Sequence, residues 1–117
     1  MSAVARTATR IYVPLDVTFF DDVKVVDAGE AAAWLYLNMM VKAKQLDSDG
    51  LMTEAQIERL RIRGWRRRLD ALVAVGLVEQ TLPGTYVIAG WLNWNESKAA
   101  RAARLKADRD RKKGETK

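Results

Sequence analysis

Two strand-like runs, Leu77-Val78-Glu79-Gln80-Thr81-Leu82 and Thr85-Tyr86-Val87-Ile88-Ala89, flank the pair Pro83-Gly84. Proline presets a turn dihedral and glycine accepts the positive one, so the segment predicts a β-hairpin. It directly follows a helical pattern that closes at Gly76, a C-cap residue. A hairpin joined to helices in this way excludes an all-helical bundle and predicts an α+β class that is mainly helical.

The helix before Gly76 is predicted to begin near Trp65, with Trp65, Leu69, Leu72 and Val73 on one stripe and Arg66, Arg67, Asp70 and Ala74 away from it. Thr53-x-x-Gln56 is a capping-box pattern leading into Ile57 and Leu60, a short helix of about two turns. Arg61 to Gly64 forms the turn between the two. Asp47-Ser48-Asp49-Gly50 is turn chemistry, and Leu51-Met52 is long enough for a very short strand.

Asp27, with Glu30 three residues later, has the spacing of an N-cap and its acidic partner, so the first helix is expected to run from Asp27 to about Leu46. Trp34, Leu35, Tyr36, Leu37, Met39, Met40 and Val41 point in nearly every direction around its axis. Such a helix is central or is shared with a partner. Before it, Pro14 makes Tyr12 to Leu15 an edge strand or an irregular lead-in.

Helix, short strand, short helix, turn, helix and hairpin is the order of a winged helix-turn-helix: three helices plus a β-hairpin wing. The expected organisation is a flexible N-terminus at residues 1–10, the winged domain at 11–94 and a basic C-terminal helix or tail at 95–117. Asn95 to Lys113 is compatible with a helix, but its apolar residues are only alanines and Leu105, so it reads as a fraying surface helix.

The chain has 117 residues, 49% of them apolar, which suits one compact domain. It contains neither cysteine nor histidine. Disulfides, thiolate nucleophiles, the usual zinc sites and the commonest proton carrier near neutral pH are thereby removed. No spacing singles out a catalytic carboxylate pair, so a non-enzymatic protein without catalytic residues, cofactor or metal is expected. No apolar run of signal-peptide length follows Met1 to Arg10, and the longest apolar stretch, Ala31 to Val41, is too short to span a bilayer. The expectation is a soluble cytoplasmic protein without a membrane partner.

Net charge is +5, and it is strongly segregated. Ile11 to Glu58 holds nine acidic residues against three lysines, Arg59 to Arg68 holds six arginines and no acid, and Glu96 to Lys117 holds nine basic residues against four acidic ones. A solvated helix face normally interleaves signs, so the arginine cluster on a helix-turn-helix order points to double-stranded DNA. Arg66 and Arg67, at the exposed start of the third helix, are placed to read guanine in the major groove. Arg61 and Arg63, in the turn, suit backbone phosphates. Arg68 joins the candidate set, although its direction beside the core stripe allows its stem simply to pack. The wing turn has no basic residue and is expected to add little. Trp65, Trp91 and Trp94 are expected to pack rather than stack on bases.

Lys98, Arg101 and Arg104 complete the candidate DNA-binding set. With Lys106, Arg109, Arg111, Lys112 and Lys113 they either follow phosphates or form a solvated tail, since Asp108 and Asp110 interleave with them.

Phe19-Phe20-Asp21-Asp22-Val23-Lys24, Gly50-Leu51-Met52-Thr53, Leu72 to Glu79, Tyr86 to Trp91 and Asn95-Glu96-Ser97 at the start of the basic segment together resemble the N-terminal winged-helix domain of phage replisome-organiser proteins, related to the DnaD-type primosome domain. The similarity covers about Tyr12 to Arg111. It implies a phage or prophage protein acting on duplex DNA, associated with the nucleoid of the bacterial host, in replication initiation or its control. Self-association also accords with this resemblance, and the broadly apolar first helix is the expected seat of a homodimer. A stand-alone transcriptional regulator, and a module that binds a replication or host protein through the acidic first half or the Trp34 to Val41 helix, are the competing readings.

Overall fold

A computed structural model describes residues 12–95 and 97–115. The expected flexible N-terminus, residues 1–10, lies outside the described residues. The architecture is α+β and mostly helical, with six α-helices and one three-stranded antiparallel sheet among the described residues.

Residues 12–18 form an irregular lead-in without strand pairing, and a single 3-10 turn, Phe19–Asp21, follows. Helix α1, Val23–Ala28, starts at Asp22, whose carboxylate accepts from the N–H groups of Lys24 at 2.8 Å and Val25 at 3.4 Å. The first helix is therefore not one element capped by Asp27. Asp27 lies inside α1, and the break comes at Gly29, with φ 95° and ψ 161°. That region is open essentially to glycine alone, so the backbone turns there and helix α2, Glu30–Leu46, starts afresh.

Helix α2 ends at Asp47 in the left-handed conformation, its N–H donating to the Ala43 and Lys44 carbonyls. Leu35, Met39 and Ala43 are fully buried, and Tyr36 and Met40 nearly so. The apolar surface continues around the axis, as its sequence requires, but Trp34 and Val41 remain exposed.

Strand β1, Leu51–Thr53, passes directly into helix α3, Glu54–Glu58. Thr53 and Gln56 form the reciprocal capping box: Gln56 N–H donates to Thr53 Oγ1 at 3.2 Å, and Thr53 N–H donates to Gln56 Oε1 at 2.9 Å. The helix is shorter than its sequence suggests. Leu60 and Ile62 pack on the core from the following turn rather than from a further helical turn. Helix α4, Trp65–Val75, buries Leu69 and Leu72, half-buries Trp65 and Val73, and closes at Gly76.

The hairpin consists of strands β2, Val78–Leu82, and β3, Thr85–Ile88. Val78 faces Ile88 and Gln80 faces Tyr86, with an irregularity between Gln80 and Leu82. Strand β1 pairs on the other side of β3, Met52 opposite Tyr86, so the sheet order is β1-β3-β2. Met52, Val78 and Ile88 point from the sheet into the core that α2, α4, Ile57 and Trp91 complete. Each such side chain contributes about 1.5–3 kcal/mol by leaving water.

A four-residue helix, α5 (Trp91–Trp94), was not legible beforehand. Trp91 is buried, as expected for a packing indole. Buried Asn95 accepts from Lys44 Nζ at 2.8 Å and donates to the Trp91 carbonyl at 3.3 Å, which fastens the end of this segment to α2. Helix α6, Lys98–Glu115, follows. Among the described residues no helix is long and apolar enough to cross a membrane.

Candidate nucleic-acid interface

The arginine cluster spans the end of α3, the turn and the first helical turn of α4. Arg61, Arg63, Arg66 and Arg67 are all exposed. Arg61 has φ 57°, a conformation that costs a non-glycine residue about 1–2 kcal/mol. It lies between Leu60 and Ile62, both directed at the core. Packing on either side thus holds the backbone of Arg61 in its disfavoured conformation while its side chain faces water.

Arg66 is held on two sides. Its guanidinium lies 4.4 Å from the centroid of the Trp65 ring, and its Nη2 is 2.5 Å from Glu54 Oε1. A cation over an indole is attracted by the ring quadrupole, and the planar fork fits a carboxylate. Glu54 also donates its backbone N–H to the Gly84 carbonyl at 2.8 Å. The hairpin turn, the start of α3 and the start of α4 therefore converge on one residue. Glu54, which holds Arg66, carries no signal in the sequence. It precedes Arg66 by twelve positions on a different helix, and no linear spacing links them. Arg61, Arg63 and Arg67 form no ion pair among the described residues.

Two members of the candidate set are occupied in packing. Arg68 is half-buried and donates Nη1 to the Ala31 carbonyl at 3.3 Å, tying α4 to the first turn of α2. This is the packed-stem outcome, and the direction of residue 68 beside the stripe was its signal. Arg101 does not face outward with the basic tail. It is half-buried and pairs with Asp47, which anchors α6 to the C-terminal end of α2. The partners lie far apart in sequence, so only the fold unites them. Arg104 is exposed. The Lys98 side chain lies outside the described residues, as does that of Trp94.

Further along α6, Arg111 and Lys112 both pair with Asp108, while Lys106 and Arg109 are exposed. Such solvent-exposed pairs are worth about 0–1 kcal/mol and neutralise part of the helix's charge. The hairpin turn, Pro83-Gly84, carries no basic side chain, and exposed Leu82 stands beside it. Among the described residues no group of three or more His, Cys, Asp or Glu is arranged to hold a metal ion. Comparison with protein-family models, with curated proteins and with solved structures gave no match.

Proposed function

We propose that this protein binds double-stranded DNA as a winged helix-turn-helix, with α4 as recognition helix and the β2–β3 hairpin as a short wing. The observation that carries the reading is the set of exposed arginines, Arg61, Arg63, Arg66 and Arg67, gathered at the N-terminal end of α4. The element order α2, β1, α3, α4, β2, β3 supports it.

In this reading Arg66 and Arg67 meet base edges in the major groove, where an arginine fork matches guanine O6 and N7. Arg61 and Arg63 hold phosphates on either side. Lys106 and Arg109 extend the backbone contacts along α6 and make affinity salt-dependent. No catalytic residue, cofactor or metal takes part. The resemblance to phage replisome organisers directs the activity to replication initiation or its control on phage or prophage DNA in the bacterial cytoplasm, with stand-alone transcriptional regulation as the alternative.

Fluorescence anisotropy of the full chain with a random-sequence duplex and with fragments of its source genome, across a salt series, tests the reading. Tight binding to one fragment with a steep salt slope is expected. Absence of binding to any duplex at low salt would overturn it.

A further inference from the structure

On the face formed by the 3-10 turn, α1 and the outer side of α2, the described residues leave an apolar surface uncovered. A groove of about 610 Å³ runs between Phe20, Val26, Trp34 and Leu37, with Glu30 in its wall. Phe20, Val26 and Trp34 are 63%, 61% and 58% exposed. A second groove of about 460 Å³ has Leu15, Phe19, Tyr36 and Met40 in its walls, together with Asp16. The rings of Phe19 and Phe20 meet edge to face at 5.0 Å, so the two grooves are neighbours. Exposed large apolar side chains gathered in this way mark an interaction site rather than an ordinary surface.

The charge around the grooves selects the occupant. Among the described residues each groove has one carboxylate in its lining and no lysine or arginine. Asp16 accepts from the backbone N–H and the hydroxyl of Thr18, which keeps its carboxyl below the usual range and ionised. Asp21 and Asp27 are exposed on the same segments as Phe20 and Val26. Lys24, on α1, reaches toward Gly76 at the end of α4, and Arg68 is engaged at the Ala31 carbonyl.

A second copy docked face to face would set these carboxylates against their own kind, and a phosphate backbone or an anionic bilayer is repelled for the same reason. The chain's own α6 is basic, but Leu105 is its single large apolar residue. It has too little apolar surface to fill a groove walled by Phe20, Trp34 and Leu37. Bulky apolar residues at helical spacing, flanked by cations, fit both the walls and the rim.

We infer that this face docks a positively charged amphipathic helix of a partner protein, its bulky apolar residues entering the Phe20–Trp34 groove and its Lys or Arg side chains meeting Glu30 and Asp16. The surface includes none of Arg61, Arg63, Arg66 and Arg67, so a DNA contact at α4 and this contact are separate.

The test uses the full chain and three labelled probes: two 18-residue amphipathic peptides with identical leucine spacing, one flanked by lysines and one by glutamates, and a peptide of residues 98–115. Binding is read by anisotropy, and the oligomeric state by sedimentation velocity. The lysine-flanked peptide is expected to bind at least tenfold more tightly than the glutamate-flanked one. Trp34→Ala should abolish that binding, and Glu30→Lys should erase the preference, both with an unchanged far-UV circular dichroism spectrum. Equal binding of the two peptides, or none, overturns the inference. So does tighter binding of the 98–115 peptide, which assigns the face to α6 of this chain, or a dimer that Trp34→Ala dissociates, which assigns it to a second copy.

Discussion

The indole of Trp91 occupies the space that any side chain at residue 50 would enter: a Cβ on Gly50 would lie 2.8 Å from Trp91 Cγ and 2.9 Å from its Cβ. Gly50 also holds φ 86° and passes its carbonyl to the Ile88 N–H at 3.0 Å. One glycine thus lets the turn after α2, the start of β1 and the helix α5 come together. Gly50→Ala combines left-handed strain with a collision against a buried ring, and is expected to destabilise by about 2–4 kcal/mol. Chemical denaturation of the variant measures this. A loss below about 1 kcal/mol would contradict both the left-handed strain and the collision.

The pair Glu54–Arg66 is expected to influence DNA binding far more than stability. Both partners are partly or largely exposed, so Glu54→Gln should change folding free energy by less than about 1 kcal/mol. If α4 contacts a duplex, the substitution removes a negative charge from the interface and frees the guanidinium. Affinity for random duplex at low salt should then rise several-fold while preference for the best fragment weakens, because the arginine fork is no longer oriented. Anisotropy on both duplexes is the measurement, and unchanged values would remove Glu54 from the interface.

Arg61 allows a separation of fold from function. Arg61→Gly relieves the left-handed conformation and is expected to leave stability unchanged or raise it by up to about 1 kcal/mol, the gain being reduced by the extra freedom of glycine in the unfolded chain. If Arg61 holds a phosphate as proposed, the same change weakens duplex binding and reduces the salt slope by about one unit. Loss of stability would mean that the arginine side chain supports the turn. Undiminished DNA affinity would remove it from the phosphate contacts.

Tyr36 predicts an alkaline limit. Its ring stacks on Phe19 with centroids 5.8 Å apart, and burial, followed by the negative Asp22, pushes the phenol above its usual value. The unfolded chain therefore releases this proton first. The contribution to stability is complete below the ordinary tyrosine value of about 10 and is lost as pH rises through the folded value, at no more than about 1.4 kcal/mol per pH unit. Tyr36→Phe should flatten the decline in denaturation midpoint between pH 9 and 11. Identical pH profiles would contradict the assignment.

Much of the helix, strand and hairpin pattern was legible because its signals are local. Thr53 with Gln56, Gly76 and Pro83-Gly84 each act on residues no more than a few positions away, and the structure places α3, α4 and the hairpin by them. The first helix was misread because Asp27 has the spacing of a cap yet lies inside α1. Asp22 caps that helix, and Gly29 adopts a dihedral that ends it before α2 begins. Four of the candidate arginines emerge exposed together, whereas Arg68 and Arg101 became fasteners, Arg68 to the Ala31 carbonyl and Arg101 to Asp47. Neither partner is a sequence neighbour.

The sequence by itself determined where α3 begins, where α4 begins and ends and where the hairpin turns, because caps, glycines and apolar periodicity act through the chain's immediate neighbours. It also determined the segregation of charge into an acidic first half and basic segments beyond it. Only the tertiary structure decided which charges remain at the surface, that Glu54 meets Arg66, that Gly50 yields its space to Trp91, and that Trp34 stays uncovered on a helix apolar nearly all round. Those outcomes depend on which faces pack against one another across long stretches of chain, and no spacing along a sequence encodes that choice.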